Sequence, residues 1–443
     1  MIFLYNLFLF FSLFLSSPYL LAKLITTRRY RIGLRERLGH LPLEIVKSFR
    51  GERPIWVHAV SAGELMATRP FLEGLLKNYS FPILLSTTTE AGYRIAKKSF
   101  SQIPTVFFPF DFPLITKNFI YAVRPKIFIA IESEIWPNLL NILKKKKIPA
   151  VLVNGRLSER SYSNYRRLGL FSRRLFSQLT CLGMRTSTES ERIIHLGAKR
   201  ERVFVTGNLK YDAAFSLQER IEPEQISETL KILQQDQDVN KASPLIVFGS
   251  LHPEEEEGII QHCAQLRNLA PLIFAPRHPE RSRLKTFLKR KDLKYILWSK
   301  IHPHPVSSPL EGEDRGEGKG LNKEKIIILD TMGELPLFYS VATLVFVGGS
   351  LIPWGGHNIL EPAAFKKPVL FGPYMGNFLE EAALLKASGG AIEVKDAEGL
   401  FSAFSELLAH PEKTKSMGEA CFQVVKQHLG ATEKNIELIK DLI

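Results

Sequence analysis

Cysteine is scarce in this chain of 443 residues, which contains only Cys181, Cys263 and Cys421. The three lie far apart and show neither the spacing of a disulfide framework nor that of a cysteine-ligated metal site. Such a composition is typical of proteins in a reducing compartment. The sequence therefore argues against a disulfide-rich secreted protein.

Charge is absent from residues 1–22, where Leu and Phe dominate. A helix of about 20 apolar residues can cross a bilayer core. The segment has no basic start and no small-residue cleavage site, so an uncleaved anchor is favoured over the alternative, a signal peptide. The basic residues directly after it are Lys23, Arg28, Arg29, Arg31, Arg35 and Arg37. By the positive-inside rule they place the rest of the chain in the cytoplasm, and they can bind acidic lipid headgroups.

The net charge of +14 favours an anionic partner, which can be nucleic acid, a membrane surface or an anionic small molecule. A nucleic-acid binder predicts basic residues interleaved with aromatic ones on one face. No such motif is present, and the charge is spread through both halves of the chain. We therefore predict no nucleic-acid partner, and keep a membrane-tethered nucleic-acid binder only as an alternative.

After the anchor, short apolar runs alternate with helix-like stretches, which predicts parallel strands joined by crossover helices. The strands predicted in the first half are 55–59, 83–86, 105–108, 127–131, 150–153 and 203–206. Those predicted in the second half are 245–248, 272–275, 295–298, 325–329, 344–347 and 369–371. A helix over 65–76 is expected to kink at Pro70. The pattern indicates two doubly wound α/β domains with a cleft between them.

Two polar segments interrupt this alternation. We predict an anchor at 1–22, an N-terminal domain at 23–217, a linker at 218–243 and a C-terminal domain at 244–443, whose last helices can pack back on the N-terminal domain. Within the last domain, residues 302–320 are rich in Pro, Gly, Ser and charge. That composition predicts a disordered surface insert.

Ligands of open α/β sheets bind beyond the carboxyl ends of the strands, so acidic residues at those positions are the first candidates for chemistry. Glu64 lies in "VHAVSAGEL", where it is either a general base or, with Ser61, half of a capping box. Glu132 and Glu134 lie in "IAIESEIWPNLL", where they either complement a helix dipole or act in catalysis. Lys210 in "TGNLKYD" is either a solvated lysine or a cation that faces the cleft.

The second half offers candidates for binding a phosphate and a nucleoside. Pro276 and Arg277 follow a predicted strand, and a guanidinium binds two phosphate oxygens at once, although a surface ion pair is the alternative. Met332, Gly333 and Glu334 lie at a strand-to-helix turn whose main chain can contact a base edge, with an ordinary capped turn as the alternative.

A glycine-rich stretch, "FVGGSLIPWGGHNILEPAAF", completes these candidates. Its glycines are expected to offer free N–H donors to a phosphate at the start of a helix, with Asn358 as the N-cap. Glu361 is expected to accept hydrogen bonds from ribose hydroxyls, as the acidic residue of dinucleotide folds does. Gly-rich loops are a weak signal alone, and a capping box formed by Asn358 and Glu361 is the alternative.

Taken together, these stretches resemble the Kdo transferases, which attach 3-deoxy-D-manno-octulosonic acid (Kdo) to the lipid A precursor of lipopolysaccharide. The resemblance rests on "RERLG", "VHAVSAGE", "ESEIWPN", "NGRLSERS", "TGNLKYD", "PRHPER", "MGELPLFY" and "FVGGSLIPWGGHNILEPAAFKKPVLFGP". They run in family order from about residue 30 to residue 375. Residues 302–320 are not part of the family pattern.

The resemblance implies a GT-B glycosyltransferase with two Rossmann-like domains, CMP-Kdo as donor, the lipid A precursor as acceptor, inversion at the anomeric carbon, and neither a cofactor nor a required metal. It also implies a place at the cytoplasmic face of the inner membrane. On this sequence it makes Glu64 the base, with Glu132, Glu134 and Lys210 supporting the transition state. It assigns CMP-Kdo to Pro276, Arg277, Met332, Gly333, Glu334, Asn358, Ile359, Leu360 and Glu361.

Two further readings use the same fold. A nucleotide-sugar epimerase or hydrolase is usually soluble, so the predicted anchor argues against it. A non-catalytic scaffold is separated from an enzyme by replacing Glu64 with alanine, because transfer then continues only if Glu64 is not the base.

Overall fold

The computed structural model describes residues 2–233, 244–267, 269–302 and 326–443. Residues 234–243 of the predicted linker lie outside this range, and so does the predicted insert apart from His302. The described chain forms two compact units. Unit 1 comprises residues 1–213 and 428–443, and unit 2 comprises residues 214–427.

Strands and helices alternate along both units. The strands of unit 1 are β1 (Ile55–His58), β2 (Ile83–Thr87), β3 (Thr105–Phe107), β4 (Ile127–Ile131), β5 (Ala150–Gly155), β6 (Cys181–Met184) and β7 (Val203–Val205). Those of unit 2 are β8 (Ile246–Leu251), β9 (Leu272–Pro276), β10 (Ile296–Leu297), β11 (Ile326–Ile328), β12 (Leu344–Val347), β13 (Val369–Phe371) and β14 (Ala391–Glu393).

Helices precede, connect and follow the strands. The first thirteen are α1 (Ile2–Thr26), α2 (Arg28–Arg31), α3 (Leu34–Arg37), α4 (Leu43–Ser48), α5 (Ala62–Ala67), α6 (Arg69–Asn78), α7 (Glu90–Ser99), α8 (Pro113–Val123), α9 (Pro137–Lys145), α10 (Glu159–Arg167), α11 (Leu170–Phe176), α12 (Ser187–His195) and α13 (Leu209–Phe215). The others are α14 (Pro223–Leu233), α15 (Pro253–Leu266), α16 (Leu284–Arg290), α17 (Trp298–Ile301), α18 (Leu335–Val341), α19 (Leu360–Ala364), α20 (Leu379–Ala387), α21 (Ala397–Ala409), α22 (Pro411–Gln427) and α23 (Ala431–Ile439).

Unit 1 is built on a parallel seven-stranded sheet in the order β3-β2-β1-β4-β5-β6-β7. The central strand β1 pairs with β2 through Ile55 and Ile83 and with β4 through Ile55 and Ile127. The chain moves outward from β1 to β3 and then returns to the other side of β1 with β4. This reversal opens a crevice beyond the carboxyl ends of β1 and β4, the usual ligand position in such sheets.

Unit 2 repeats the parallel architecture with seven strands in the order β10-β11-β9-β8-β12-β13-β14. Here β8 is central, and the order reverses between β8 and β12. Phe248 on β8 and Phe346 on β12 are buried and pair in register, so the two strands that flank the crevice are fixed to one core. The predicted α/β class with two Rossmann-like halves is confirmed.

The sequence-based prediction placed most strands but not all. The predicted helix over 65–76 is two helices, α5 and α6, which meet at Thr68, and Pro70 lies in the first turn of α6. A proline fits the first turn because its missing N–H is not needed there. Strands β6 and β14 were not predicted. Both are short, and β6 contains Gly183, which has little strand propensity.

Gly183 has a role in packing that the sequence pattern of the strand does not show. A Cβ added there would lie 2.4 Å from Oδ1 of Asn435 on α23. The glycine therefore lets the last helix of the chain approach the sheet of unit 1 closely. Asp212 fixes the start of that segment, because its carboxylate accepts hydrogen bonds from the backbone N–H groups of Gly430 (2.9 Å) and Thr432 (2.5 Å).

Helix α1 is the single helix, among the residues the structure describes, that is long and apolar enough to cross a membrane. It contains 25 residues and belongs to unit 1. The chain after it returns to the sheet, where the N–H of Phe107 donates to the Glu36 carboxylate (2.6 Å) and the N–H of Phe110 donates to the Arg37 carbonyl (2.8 Å). The predicted anchor segment therefore forms a helix next to the catalytic candidates of unit 1.

Candidate functional site

Glu64 lies in the first turn of α5, directly beyond β1. Its Oε2 accepts a hydrogen bond from the Val60 N–H (2.9 Å), and its Oε1 accepts one from the Ser61 hydroxyl (3.2 Å). The Glu64 N–H in turn donates to Ser61 Oγ (3.3 Å), so Ser61 caps the helix. Only half of the predicted capping box forms, because the Glu64 carboxylate accepts from the Val60 N–H and the Ser61 hydroxyl and not from the Ser61 N–H; these bonds hold the carboxylate at the crevice of unit 1.

The same position also shifts the acidity of Glu64. Partial burial, followed by the negative charges of Glu132 and then Glu134, raises the pKa of Glu64 to about 7, although the Val60 and Ser61 hydrogen bonds oppose the rise. A carboxylate with such a pKa is an efficient proton acceptor near neutral pH. The cap and a catalytic base are therefore compatible functions of one side chain.

Glu132 directly follows β4, the strand on the other side of the crevice. Its carboxylate forms an ion pair with the guanidinium of Arg185, which is only 7% exposed. Arg185 Nε also donates to Asn154 Oδ1 (3.2 Å). Glu132 and Asn154 both adopt left-handed backbone conformations, with φ of 65° and 56°. Such strain in residues other than glycine is concentrated at functional sites.

Lys210 is tied to this network through the main chain. The N–H of Leu209 donates to Asn154 Oδ1 (3.0 Å), the atom that also accepts from Arg185. The N–H of Lys210 donates to Asn208 Oδ1 (3.1 Å) and so begins helix α13. The main chain before Lys210 is thus linked to Glu132 through Asn154 and Arg185, and the role of the Lys210 side chain stays a prediction.

Glu134 lies two residues beyond Glu132 and faces a buried histidine. Its Oε2 accepts a hydrogen bond from Trp136 Nε1 (2.9 Å) and lies 3.7 Å from His58 Nε2. His58 is fully buried, its Nδ1 lies 3.0 Å from Ser86 Oγ, and its ring stacks on Phe108. His58 Nε2 has no hydrogen-bond partner within the described part of the chain. Trp136 is thus the side chain that binds Glu134, while the His58 imidazole faces this carboxylate without a hydrogen bond.

A cavity of about 240 Å³ adjoins this region of unit 1 and is lined by Arg29, Arg37, Thr88 and Phe107, among others. Arg37 Nη2 donates to the Thr88 carbonyl (2.6 Å), and its guanidinium stacks over the Phe107 ring at 4.5 Å. The Thr88 N–H donates to the carbonyl of Val60, four residues before Glu64. A cavity with two arginines and this position suits an anionic ligand.

Arg277 in unit 2 follows the buried Pro276 at the end of β9. Its N–H donates to the Leu251 carbonyl (2.8 Å), which fixes the residue next to the end of β8. The side chain is exposed. Among the described residues no carboxylate lies within 4.0 Å of its guanidinium, so the surface ion pair considered from the sequence is not formed. The cation is available to an anionic ligand.

The glycine-rich turn after β12 contradicts one prediction. Its N–H groups were expected to be free, but Gly349 donates to Glu255 Oε2 (2.6 Å), and Ser350 and Leu351 donate to Glu255 Oε1 (3.0 and 2.9 Å). Glu255 also accepts from the His252 N–H (3.2 Å). Successive N–H groups form an anion-binding concavity, and here the chain's own buried carboxylate fills it. These amides are consequently not the donors for a ligand phosphate.

Asn358, Ile359, Leu360 and Glu361 lead into helix α19, whose N-cap is Ile359 and not Asn358 as predicted, because the helix begins one residue later than expected. Asn358 Oδ1 accepts from the Leu360 N–H (3.2 Å), and Asn358 Nδ2 donates to Glu361 Oε1 (3.1 Å). Burial raises the pKa of Glu361, while Asn358 and the charge of Arg277 lower it. The structure thus brings Asn358 and Glu361 together with Arg277. Helix α19 has only five residues, so the expected attraction of a phosphate to its dipole is small.

Two histidines that were not predicted as candidates lie beside Arg277. His252 Nε2 lies 2.8 Å from His357 Nε2, and the exposed Trp354 stacks on the His252 ring. Burial, together with the charge of Arg277, lowers the pKa of His357 to about 3, and burial lowers that of His252 as well. When both rings are uncharged, one of these nitrogens donates the hydrogen bond and the other accepts it.

Met332, Gly333 and Glu334 form the turn between β11 and α18. The Met332 side chain is 60% exposed. Gly333 has φ of 100°, and a Cβ there would meet nothing within 4 Å, so its surface is open. Glu334 accepts hydrogen bonds from Trp298 Nε1 (3.3 Å) and from the Thr331 hydroxyl. Side-chain hydrogen bonds hold Glu334 in the turn, but no side chain caps helix α18, and the surface at Gly333 is open.

Sequence reasoning missed Arg185, His58, Glu255, His252 and His357. Arg185 directly follows β6, so recognition of that strand would have placed it beyond a carboxyl end. Glu255 stands in a run of four glutamates at the start of α15, where any of them suits the helix dipole. Two of the four, Glu255 and Glu256, are buried, and no feature of the sequence shows which of them binds the glycine-rich turn.

Comparison with known proteins identifies the family of the chain. Residues 33–213 match the family model described as 3-Deoxy-D-manno-octulosonic-acid transferase (kdotransferase). A 3-deoxy-D-manno-octulosonic acid transferase of Haemophilus influenzae is 32% identical over 94% of this chain and 92% of its own length. One of Chlamydophila psittaci is 29% identical over 93% of this chain and 89% of its own length.

Solved structures support the fold. The crystal structure of the UDP-GlcNAc 2-epimerase of Neisseria meningitidis covers 88% of this chain and 100% of its own, with a TM-score of 0.58 at 14% identity. That likeness confirms the two-domain α/β fold of the GT-B type and carries nothing about the reaction. The near full-length likeness to the Haemophilus enzyme does identify the family. The chain is therefore a member of the 3-deoxy-D-manno-octulosonic acid transferases, a family of glycosyltransferases.

Proposed function

We propose that the protein transfers Kdo from CMP-Kdo to the lipid A precursor, lipid IVA, with inversion at the anomeric carbon. The observation that carries the proposal is the Glu64 carboxylate, which is held at the crevice of unit 1 and has a pKa of about 7. A transferase of this kind needs a base that is partly deprotonated at neutral pH and can accept a proton from a sugar hydroxyl.

The proposed step is a single displacement. The acceptor hydroxyl oxygen attacks the anomeric carbon of Kdo, and its proton passes to the Glu64 carboxylate. The bond between the anomeric carbon and the phosphate oxygen breaks, and its electron pair leaves with CMP. Attack opposite to the leaving group inverts the configuration at that carbon.

Glu132, Glu134 and Lys210 are proposed to support the transition state. The negative charges of Glu132 and Glu134 raise the proton affinity of Glu64. Arg185 balances the charge of Glu132 and fixes its direction. Asn154 Oδ1 accepts hydrogen bonds from Arg185 and from the Leu209 N–H, and so joins this pair to the start of α13, which carries Lys210. The ammonium of Lys210 is proposed to stabilise developing negative charge.

Unit 2 is proposed to bind CMP-Kdo. Arg277 provides a cation for the phosphate, Pro276 and the Met332-Gly333-Glu334 turn contact the nucleoside, and Asn358, Ile359, Leu360 and Glu361 hold sugar hydroxyls. Because CMP carries one phosphate, we propose that Arg277 and Lys210 neutralise the leaving group without a metal ion. Neither a metal nor any other cofactor is then required.

The acceptor is proposed to reach unit 1 from the membrane. The cavity lined by Arg29 and Arg37 offers two cations beside the loop that leads to Glu64, and the lipid A precursor is anionic. Helix α1 is apolar enough to hold the protein at a bilayer. We propose a location at the inner membrane with both units on the cytoplasmic face. The single pass that the sequence predicts stays a prediction.

The test is incubation of the purified protein with CMP-Kdo and lipid IVA, with mass spectrometry of the lipid product. We expect a mass increase of one or more Kdo residues, with or without EDTA, and no increase with the Glu64→Gln variant. Glu73→Gln is the matched control, because Glu73 pairs with Arg69 on the surface of the same unit. A lipid of unchanged mass with wild-type protein would refute the proposed function, and transfer that stops with EDTA would refute metal independence.

A further inference from the structure

The first turns of helix α1 are docked on unit 1 by polar contacts. The Tyr5 hydroxyl donates to Asp111 Oδ2 (3.0 Å), and Asn138 Nδ2 donates to Asn6 Oδ1 (2.7 Å). Ring contacts extend the docking site, since Tyr5 lies 6.2 Å from Phe171 and Phe10 lies 5.5 Å from Phe112 between ring centroids. A helix embedded in lipid at this point would leave these polar groups without their partners.

The partners of Tyr5 and Asn6 belong to a rigid part of unit 1. Asp111 is buried, and its carboxylate accepts hydrogen bonds from the N–H groups of Asn138 and Leu139, both at 2.9 Å. The Asp111 carboxylate therefore caps the start of helix α9. Helix α1 therefore docks at the start of a helix of the fold and not on the tip of a surface loop.

The other end of α1 is held close to the same unit. A Cβ on Gly33 would overlap the Phe107 ring, so the chain seven residues after the helix lies directly on β3. Seven residues reach at most about 25 Å. A helix of 25 residues is about 37 Å long, slightly more than the hydrocarbon core of a bilayer. With Tyr5 and Gly33 both on unit 1, the first turns of the helix and the chain that follows it are attached to the same unit.

The two faces of α1 differ. Side chains at Tyr5, Asn6, Leu9, Ser12 and Ser16 are partly shielded and recur at helical spacing. The opposite face is exposed and apolar; it comprises Phe3, Leu4, Leu7, Phe8, Phe11, Phe14, Leu15 and Leu21. Helix α1 thus presents a partly shielded stripe that begins at the docking contacts, and an exposed apolar face that can enter lipid.

Unit 1 continues the exposed apolar face next to the docking contacts. Leu168 and Leu170, 51% and 71% exposed, flank the region of Phe171, and Phe110 and Leu114, 42% and 68% exposed, flank Phe112. Exposed cations surround them; they are Arg28, Arg29, Arg31, Arg166, Arg167, Arg173 and Arg174. An apolar surface rimmed by arginines complements the acyl chains and the anionic headgroups of one leaflet.

We propose that α1 does not cross the bilayer but lies in its cytoplasmic interface, docked on unit 1, so that α1 and the neighbouring apolar side chains form one lipid-binding surface. The occupant is an anionic bilayer. Trp136, whose indole binds Glu134, immediately precedes α9, the helix on which α1 docks. The membrane surface is thereby connected rigidly to the loop that carries Glu132 and Glu134.

Thiol crosslinking between α1 and unit 1 in native membranes tests the docking. The double variant Phe10→Cys/Phe112→Cys, which keeps both polar docking contacts, is treated with a short bifunctional thiol reagent, and the product is mapped by mass spectrometry. The native cysteines are buried and do not compete. Phe8→Cys/Phe112→Cys is the control, because Phe8 lies on the exposed face. We expect a several-fold higher yield for the first pair. A helix that crosses the bilayer gives equal yields, which would overturn the proposal.

The orientation of the N-terminus gives a second test on a chain without substitutions. A short hydrophilic tag with a protease site is added before Met1. We expect cleavage in inverted vesicles, whose cytoplasmic face is outside, and protection in intact spheroplasts. Cleavage only in spheroplasts would overturn the proposal. Neither readout needs sugar transfer, so a protein that passes both tests but does not transfer Kdo refutes the proposed function alone.

Discussion

The two units share a parallel seven-stranded architecture but differ in the charge that they place at the crevice of the sheet. Unit 1 gathers carboxylates, and burial with their mutual repulsion raises the pKa of Glu64 to about 7. Unit 2 gathers Arg277 with two histidines, and burial with the arginine charge lowers the pKa of His357 to about 3. One fold thus produces a proton acceptor in one unit and a cation with neutral donors in the other.

The two crevices also differ in which of their charged side chains are paired. In unit 1 Arg185 neutralises Glu132, and Glu64 has no cationic partner within 4.0 Å among the described residues. In unit 2 Glu255 occupies amides of the glycine-rich turn, and no carboxylate of the described residues lies within 4.0 Å of the Arg277 guanidinium, although Glu361 is near enough to interact with its charge. Each unit therefore keeps one charged group available, and the available charges have opposite sign.

The largest expected effect comes from the free carboxylate of unit 1. Glu64→Gln keeps the size of the side chain but removes the proton acceptor, so we expect kcat for Kdo transfer to fall about 10²–10⁴-fold. The measurement is the initial rate with CMP-Kdo and lipid IVA, next to the Glu73→Gln control. Binding of CMP is expected to stay within about twofold, because the substitution lies in the other unit. A wild-type rate would remove Glu64 from the mechanism.

The ion pair between Glu132 and Arg185 in unit 1 is expected to stabilise the folded protein. Arg185→Met leaves the Glu132 carboxylate uncompensated in a buried site, and we expect the free energy of unfolding to fall by about 3–5 kcal/mol. Chemical denaturation in detergent measures the change. The double variant Glu132→Gln/Arg185→Met removes both charges and is expected to be more stable than Arg185→Met alone. If the double variant is the less stable of the two, the charge pairing is not the cause.

The corresponding group in unit 2 is Glu255. Glu255→Gln replaces an acceptor of four N–H hydrogen bonds by an amide with one oxygen. Hydrogen bonds to a charged group contribute about 1.5–3 kcal/mol, so we expect a loss of about 2–3 kcal/mol in the free energy of unfolding. Glu254→Gln on the exposed side of the same helix is the control and is expected to change little. Equal losses in both variants would contradict this account.

The smallest expected effect concerns the free cation of unit 2. Arg277→Lys keeps the charge but loses the planar fork that binds two oxygens, so we expect about a tenfold rise in KM for CMP-Kdo with a smaller change in kcat. Arg281→Lys, at an exposed position four residues on, is the control. A change in kcat alone would place Arg277 away from donor binding.

Sequence patterns predicted the features that depend on local order along the chain. The alternation of strands and helices gave most of both sheets, and the position of Glu64 and Glu132 after two strands led to their place at one crevice. Patterns did not predict contacts between distant segments. Arg185 was not predicted as a candidate because the strand before it, β6, was not predicted. The hydrogen bonds between Glu255 and the glycine-rich turn were not predicted because they join residues about one hundred positions apart.

The prediction of free amides in that turn was wrong for a related physical reason. Glycine content shows that a main chain can form an anion-binding concavity, but not which anion fills it. Only the folded chain reveals that Glu255 is the anion. The polar contacts of Tyr5 and Asn6 were likewise invisible within an apolar segment of the sequence, because their partners lie more than one hundred residues away.

The central claim is that the carboxylates of unit 1 make Glu64 the base of the transfer reaction, and the pH dependence of single-turnover Kdo transfer tests it most directly. Since the deprotonated form of Glu64 is the active one, the wild-type rate should fall as the pH drops through about 7. Glu132→Gln removes a negative charge that raises this pKa, so its acidic limb should move to lower pH. A rate that is flat through this range, or a limb that Glu132→Gln leaves in place, would contradict the claim.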